Sequence, residues 1–162
     1  MGSSTNKKVQ VARFDRDPLA GFVNPASYLN PQGIELLSVN GNAIVIPYDE
    51  VKAVHFVRDF HNGPVRLERT TFLTRPKVSG LWVRLLFRDR DMIEAVLTNS
   101  LLHLEPHGFT VTPPDSASNT QRLFVPKTAL IELQVLGVVG SPLRGPGRKR
   151  KAGDEDQIRL FE

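Results

Sequence analysis

The chain has 162 residues, 40% hydrophobic and 23% charged, the balance of a globular protein rather than a disordered one. It contains no cysteine, which excludes disulfide staples, thiolate zinc sites and cysteine nucleophiles. The formal net charge is +4, but residues 1–140 hold fifteen basic and thirteen acidic side chains, so overall charge does not single out nucleic acid as a partner.

Met1–Lys8 is polar and basic with no apolar run behind it, which predicts no signal peptide. No stretch reaches the apolar length that spans a bilayer, so the expected location is the cytoplasm, with no membrane partner. Val9, Val11 and Ala12 open a strand with period-2 patterning, and Asp15-Arg16-Asp17 suits the turn after it. Leu19–Val23 and Leu29–Leu36 continue as strands. Asn40-Gly41 predicts a hairpin with a type I′ turn. Pro47–Glu50 suits one short helical turn before a last strand carrying Val51, Val54 and Phe56, because proline pre-sets φ there and has no N–H for a ladder.

From residue 80 the same blocks return in the same order. Asp89-Arg90-Asp91 with Ile93, Ala95 and Val96 repeats Asp15-Arg16-Asp17 with Leu19, Gly21 and Phe22. Leu104–Val111 repeats Leu29–Leu36, with Gly108 at the place of Gly33. Val125-Pro126 with Leu130, Leu133 and Val135 repeats Ile46-Pro47 with Val51, Val54 and Phe56. Trp82, Val83, Leu85 and Phe87 form the opening strand of this second copy, and the tight Asn-Gly hairpin is replaced by a longer polar loop, Pro113–Thr120.

Five short strands with a helical turn between the fourth and fifth outline a small SH3-like or Sm-like barrel. The expected fold is therefore mainly β: two tandem five-stranded barrels at 7–60 and 80–140, a linker at 61–79 packed between them, and a flexible, disordered C-terminal tail at 141–162. A single β-sandwich is the alternative. The linker sets Arg66, Arg69, Arg75 and Lys77 among Leu67, Phe72 and Leu73, which suits a segment laid across the barrels with its basic residues exposed.

Lys52–Phe60 resembles the signature of an uncharacterised bacterial family of small Sm-like barrel modules, and Thr112–Pro126 resembles that family's second copy. The resemblance covers nearly all of residues 7–140. It implies the fold and assigns no activity.

The chemistry-bearing residues give no catalytic or metal-binding pattern. His103 and His107 flank a turn with no third ligand at a convincing spacing, and His55 and His61 stand apart. The two Asp-Arg-Asp groups read as turn chemistry, and no phosphate loop, nucleophile elbow or dinucleotide fingerprint occurs. The chain is expected to be a binding protein with no cofactor and no enzymatic activity.

Binding residues are expected in two places. In the second copy, Asn119, Gln121, Arg122 and Lys127 lie in or beside the long loop and offer amide and phosphate contacts. In the tail, Arg148, Lys149, Arg150 and Lys151 form a basic block that suits phosphates. The tail then ends in Gln157-Ile158-Arg159-Leu160-Phe161-Glu162. Gln157, Ile158, Leu160 and Phe161 resemble the pentapeptide with which bacterial replication and repair proteins bind the sliding clamp. In that motif the glutamine makes polar contacts and the Leu-Phe pair enters an apolar pocket. The alternative is that Leu160 and Phe161 fold back on a barrel as an extra strand. Two functions fit these residues: an adaptor on DNA that docks the clamp, or a protein–protein module with no nucleic-acid role.

Overall fold

The structure, a computed structural model, describes residues 5–100, 102 and 104–140. The tail, with the basic block and the clamp-like peptide, lies outside the described residues, as does His103. The elements are β1 (Lys7–Arg13), β2 (Leu19–Val23), β3 (Leu29–Asn30), β4 (Gly33–Ser38), β5 (Ala43–Ile46), a 3-10 turn at Tyr48–Glu50 and β6 (Val51–Val57). After the connecting segment come β7 (Gly80–Phe87), β8 (Met92–Leu97), β9 (Gly108–Thr112), β10 (Thr120–Pro126), a 3-10 turn at Lys127–Ala129 and β11 (Leu130–Val139). Among the described residues there is no α-helix, and no helix long and apolar enough to cross a membrane.

All strands join one open antiparallel sheet in the order β11-β7-β8-β9-β10-β6-β1-β2-β4-β3, with β5 on the other edge of β4. The first half runs β6-β1-β2-β4-β5 and the second β11-β7-β8-β9-β10. In neither half does the fourth strand pair with the fifth. Instead β10 pairs with β6, placing Phe124 opposite Val54 and Leu123 opposite His55, and this ladder makes one sheet of the two halves.

The apolar side chains fall into two clusters. Val9, Val11, Ile34, Leu36, Val51, Val54 and Phe56 fill the first, and Val83, Leu85, Phe87, Ile93, Val111 and Leu123 the second. Each cluster takes a residue from the other half: Phe124 lies in the first and Ala53 in the second. Alternation along β10 causes this, since Leu123 and Val125 point to one side and Phe124 to the other. Gly33 and Gly108, which occupy the same place in the recurring block, meet the same constraint. A Cβ on Gly33 would run into the carbonyl of Ile46, and one on Gly108 into that of Val125.

Trp82 does not share the face of Val83, Leu85 and Phe87. Its indole N–H donates to Glu94 Oε1 (3.2 Å), and its ring meets Phe72 edge-on at 6.3 Å, so it holds the connecting segment rather than filling a core. The segment itself forms neither strand nor helix. It is tied down by contacts such as Gln10 Nε2 to His61 O (2.8 Å) and Glu94 N to Thr70 O (2.7 Å), with Arg66, Arg69, Arg75 and Lys77 exposed.

The β4–β5 hairpin is not type I′. Gly41 has φ +92°, but Asn40 is not in the left-handed region. Gly41 N donates to Ser38 O (2.9 Å) and Ser38 N to Asn42 O (2.8 Å), the pattern of a type I turn closed by one left-handed residue. The β7–β8 turn repeats it: Arg90 N donates to Phe87 O (2.9 Å), Phe87 N to Asp91 O (2.8 Å), and Arg90 has φ +79°. Arg90 thus occupies a conformation that costs an L-residue about 1–2 kcal/mol. Arg90→Gly is expected to raise stability by up to about 1 kcal/mol, the relieved strain less the added unfolded-state entropy, read as a higher denaturation midpoint in urea.

Candidate functional site

The halves meet on β6, which carries Lys52 and the buried His55. Lys52 extends from β6 toward the β7–β8 turn, where Nζ bonds Asp89 Oδ2 at 2.8 Å and also the Asp91 carboxylate. Asp89 Oδ1 accepts the Asp91 backbone N–H (3.1 Å), so the turn holds both carboxylates toward one cation. Lys52 Nζ also lies 5.2 Å from the Phe87 ring centroid. Burial pulls the Lys52 pKa down, but the bonds and charge of Asp89 and Asp91 outweigh it, and the net shift is upward. For Asp89, burial acts upward and is outweighed by Lys52, leaving its carboxyl below the usual range. The Asp89/Asp91 pair is more than turn chemistry: it is one side of an ionic clamp between the halves.

Three residues along β6 stands His55, buried at 5% exposure. Its Nδ1 lies 3.1 Å from Thr120 Oγ1 at the start of β10. Burial, and then the charge of Lys52, depress its pKa to about 4, so the ring is neutral near pH 7. Lys52 and His55 line a cleft of about 480 Å³ with Arg66 and Thr70 of the connecting segment, over a floor that includes Ile93 and Leu123. A second hollow of about 540 Å³ shares Lys52 and adds Arg13, Arg16 and Asp17. Together they form a surface with an apolar floor and charges of both signs at its rim. It suits a ligand with one apolar and one polar end. Among the described residues, no group of three or more His, Asp or Glu side chains is placed to hold a metal ion.

The loop residues expected to contact nucleic acid do not form one site. Asn119 is engaged at both ends of its amide: Oδ1 accepts Asp59 N (2.9 Å) and Nδ2 donates to Asp59 O (3.0 Å). Arg58 supports the same junction through Nε to Ser118 O (3.1 Å) and N to Asn119 O (2.9 Å). Arg122 places its guanidinium 5.1 Å from the Phe56 ring centroid, beside a hollow of about 300 Å³ that Tyr28 also lines. Burial, then Glu105, push the Tyr28 hydroxyl well above its usual pKa. Gln121 is exposed, and Lys127 is exposed beyond the far end of β10, on the order of 20 Å from Asn119 along an extended strand.

Nothing in the local sequence marks Lys52 and His55 as a pair. Their partners Asp89, Asp91 and Thr120 lie 37, 39 and 65 residues away, and no local spacing pattern signals them.

The depressed His55 pKa sets a pH dependence. The unfolded chain binds a proton near pH 6.5 that the folded chain refuses until about pH 4. The His55 contribution is complete above about pH 6.5 and is lost as pH falls through that window, on the order of 3 kcal/mol in all. Urea denaturation between pH 7 and 4 is expected to show this loss in the wild type, and a flatter profile in His55→Gln. Equal slopes in the two proteins would contradict it.

No curated protein and no solved structure matches the chain. The family model that matches spans residues 5–137, which includes β1 to β10, both cores and the clamp at Lys52. The chain belongs to that family, a family of unknown function designated DUF6982.

Proposed function

We infer that the chain is a non-enzymatic, cytoplasmic adaptor: two small five-stranded barrel units, residues 7–60 and 80–140, with 61–79 packed between them and a tail that docks the bacterial sliding clamp. Two separate cores and one strand order in both halves support the two-unit reading. Engagement of Asp89 and Asp91 by Lys52 supports binding over acid–base chemistry, since both carboxylates are held by a cation. The observation that carries the clamp reading is the peptide Gln157-Ile158-Arg159-Leu160-Phe161, in which two large apolar residues end a polar, Pro/Gly-rich stretch. A pull-down with bacterial sliding clamp is expected to retain the wild-type chain and to lose the Leu160→Ala/Phe161→Ala double variant. Equal retention of the two ends the clamp reading.

A second reading, a protein–protein module with no nucleic-acid role, is favoured by the engagement of Asn119 and Arg122 within the fold. The two are separated by a salt titration with duplex and single-stranded DNA. If the adaptor touches DNA through Arg148, Lys149, Arg150 and Lys151, log K falls against log salt with a slope of about −0.7 to −0.9 per neutralised phosphate, and alanine at those four positions flattens it. Absent or salt-independent binding leaves the protein–protein module.

A further inference from the structure

The ladder that joins the halves has two unlike sides, and the counterpart of each stands at one end of the sheet. Inside the chain, the fourth strand of the second half (β10) pairs antiparallel with the fifth strand of the first (β6). The corresponding fourth strand of the first half is β5, and the corresponding fifth strand of the second is β11. Among the described residues each has one neighbour: β5 pairs with β4, and β11 with β7. The sheet therefore ends in two unlike edges that are the two sides of a contact the molecule already makes.

The side chains support this. By the recurring blocks, Ile44, Val45 and Ile46 stand where Leu123, Phe124 and Val125 stand in the second half. Leu123 and Val125 face their own core, and Ile44 and Ile46 do the same. Phe124 points the other way, into the core of the neighbouring half, and is 0% exposed, whereas Val45 points the other way into solvent and is 50% exposed. On the opposite edge Val135 stands where Phe56 stands, at 54% against 5%. Ile131 of β11 is also exposed, at 51%. Neither Ala43–Ile46 nor Leu130–Val135 contains the proline or lysine that usually blocks strand addition at an open edge, and Glu132 is the one charge among them. Arg75 Nη2 donates to Val138 O (2.6 Å) at the far end of β11, and among the described residues Ile131, Glu132, Gln134 and Val135 are exposed.

We propose that copies of this chain associate head to tail, β5 of one copy adding antiparallel to β11 of the next. The ladder repeats the internal register: Arg122 opposite Phe56, Leu123 opposite His55 and Phe124 opposite Val54 become Ala43 opposite Val135, Ile44 opposite Gln134 and Val45 opposite Leu133 of the next copy. Val45 then joins the partner's second core, as Phe124 joins the first core within one chain. Because the two surfaces differ, the contact is heterologous, and repeated it gives a closed ring or an open filament.

The test uses the full chain. Sedimentation over a range of concentrations is expected to show concentration-dependent assembly of the wild type. Val45→Lys and Val135→Lys, both at exposed positions, are each expected to be monomeric with unchanged circular dichroism. Mixed in equal amounts they restore a dimer and nothing larger, since each variant keeps the edge the other lacks. The chain has no native cysteine, so Ala43→Cys mixed with Val135→Cys is expected to cross-link in pairs under oxidation, at the Cα separation of strand partners. The proposal is overturned if the wild type stays monomeric, as it would with the tail seated on either edge. It is equally overturned if the lysine variants assemble like the wild type, or if the mixtures neither dimerise nor cross-link.

Discussion

The antiparallel ladder between β6 and β10 is the constraint on which the rest of the structure depends. Both strands are buried along most of their length, because each has a neighbour on both edges and a core against each face. Phe124 crosses this ladder to fill the first core, a burial that contributes roughly 1.5–3 kcal/mol from apolar area and more from packing against Tyr28 and Tyr48. Ala53 makes the reciprocal crossing. Neither half has a complete core without the other.

The same ladder explains where the polar groups collect. A strand covered on both faces leaves little solvent for its polar side chains: the Lys52 side chain is 22% exposed and His55 5%, and each takes a partner across the joint. Lys52 reaches the two carboxylates of the β7–β8 turn, and His55 stays neutral against the Thr120 hydroxyl. The price of a left-handed Arg90 is accepted in a turn that aims two aspartates at one lysine. Asn119 and Arg58 close the other end of the junction by backbone-directed bonds. The long Pro113–Asn119 loop is therefore part of the joint between halves as well as a surface.

A joint of this kind, made once between two like halves, leaves the corresponding unlike strands, β5 and β11, at the ends of the sheet. Val45 and Val135 are exposed at those ends, whereas Phe124 and Phe56 at the corresponding places of the internal ladder are buried. Multiplying the copies would also multiply any peptide carried on the tail, which raises apparent affinity for a multivalent partner without a new contact.

Much of this was readable in the sequence for local reasons. Alternation marks Val9, Val11, Val83 and Leu85 as inward, proline before a short turn marks the starts of β6 and β11, and the recurrence of Gly33 as Gly108 marks a close approach in both halves. The run Ala53–Val57 has no alternation, because the strand is covered on both faces, and that signals burial without naming what covers it. What the sequence could not determine was pairing across long separations: that β10 would lie against β6, that Lys52 would find Asp89 and Asp91, or that Trp82 would turn toward Phe72 instead of the core. Periodicity states that a side chain points inward or outward. Only the tertiary arrangement decides which of two cores, and which of two edges, it meets, because that depends on the twist and pairing of the whole sheet rather than on any neighbour in the chain.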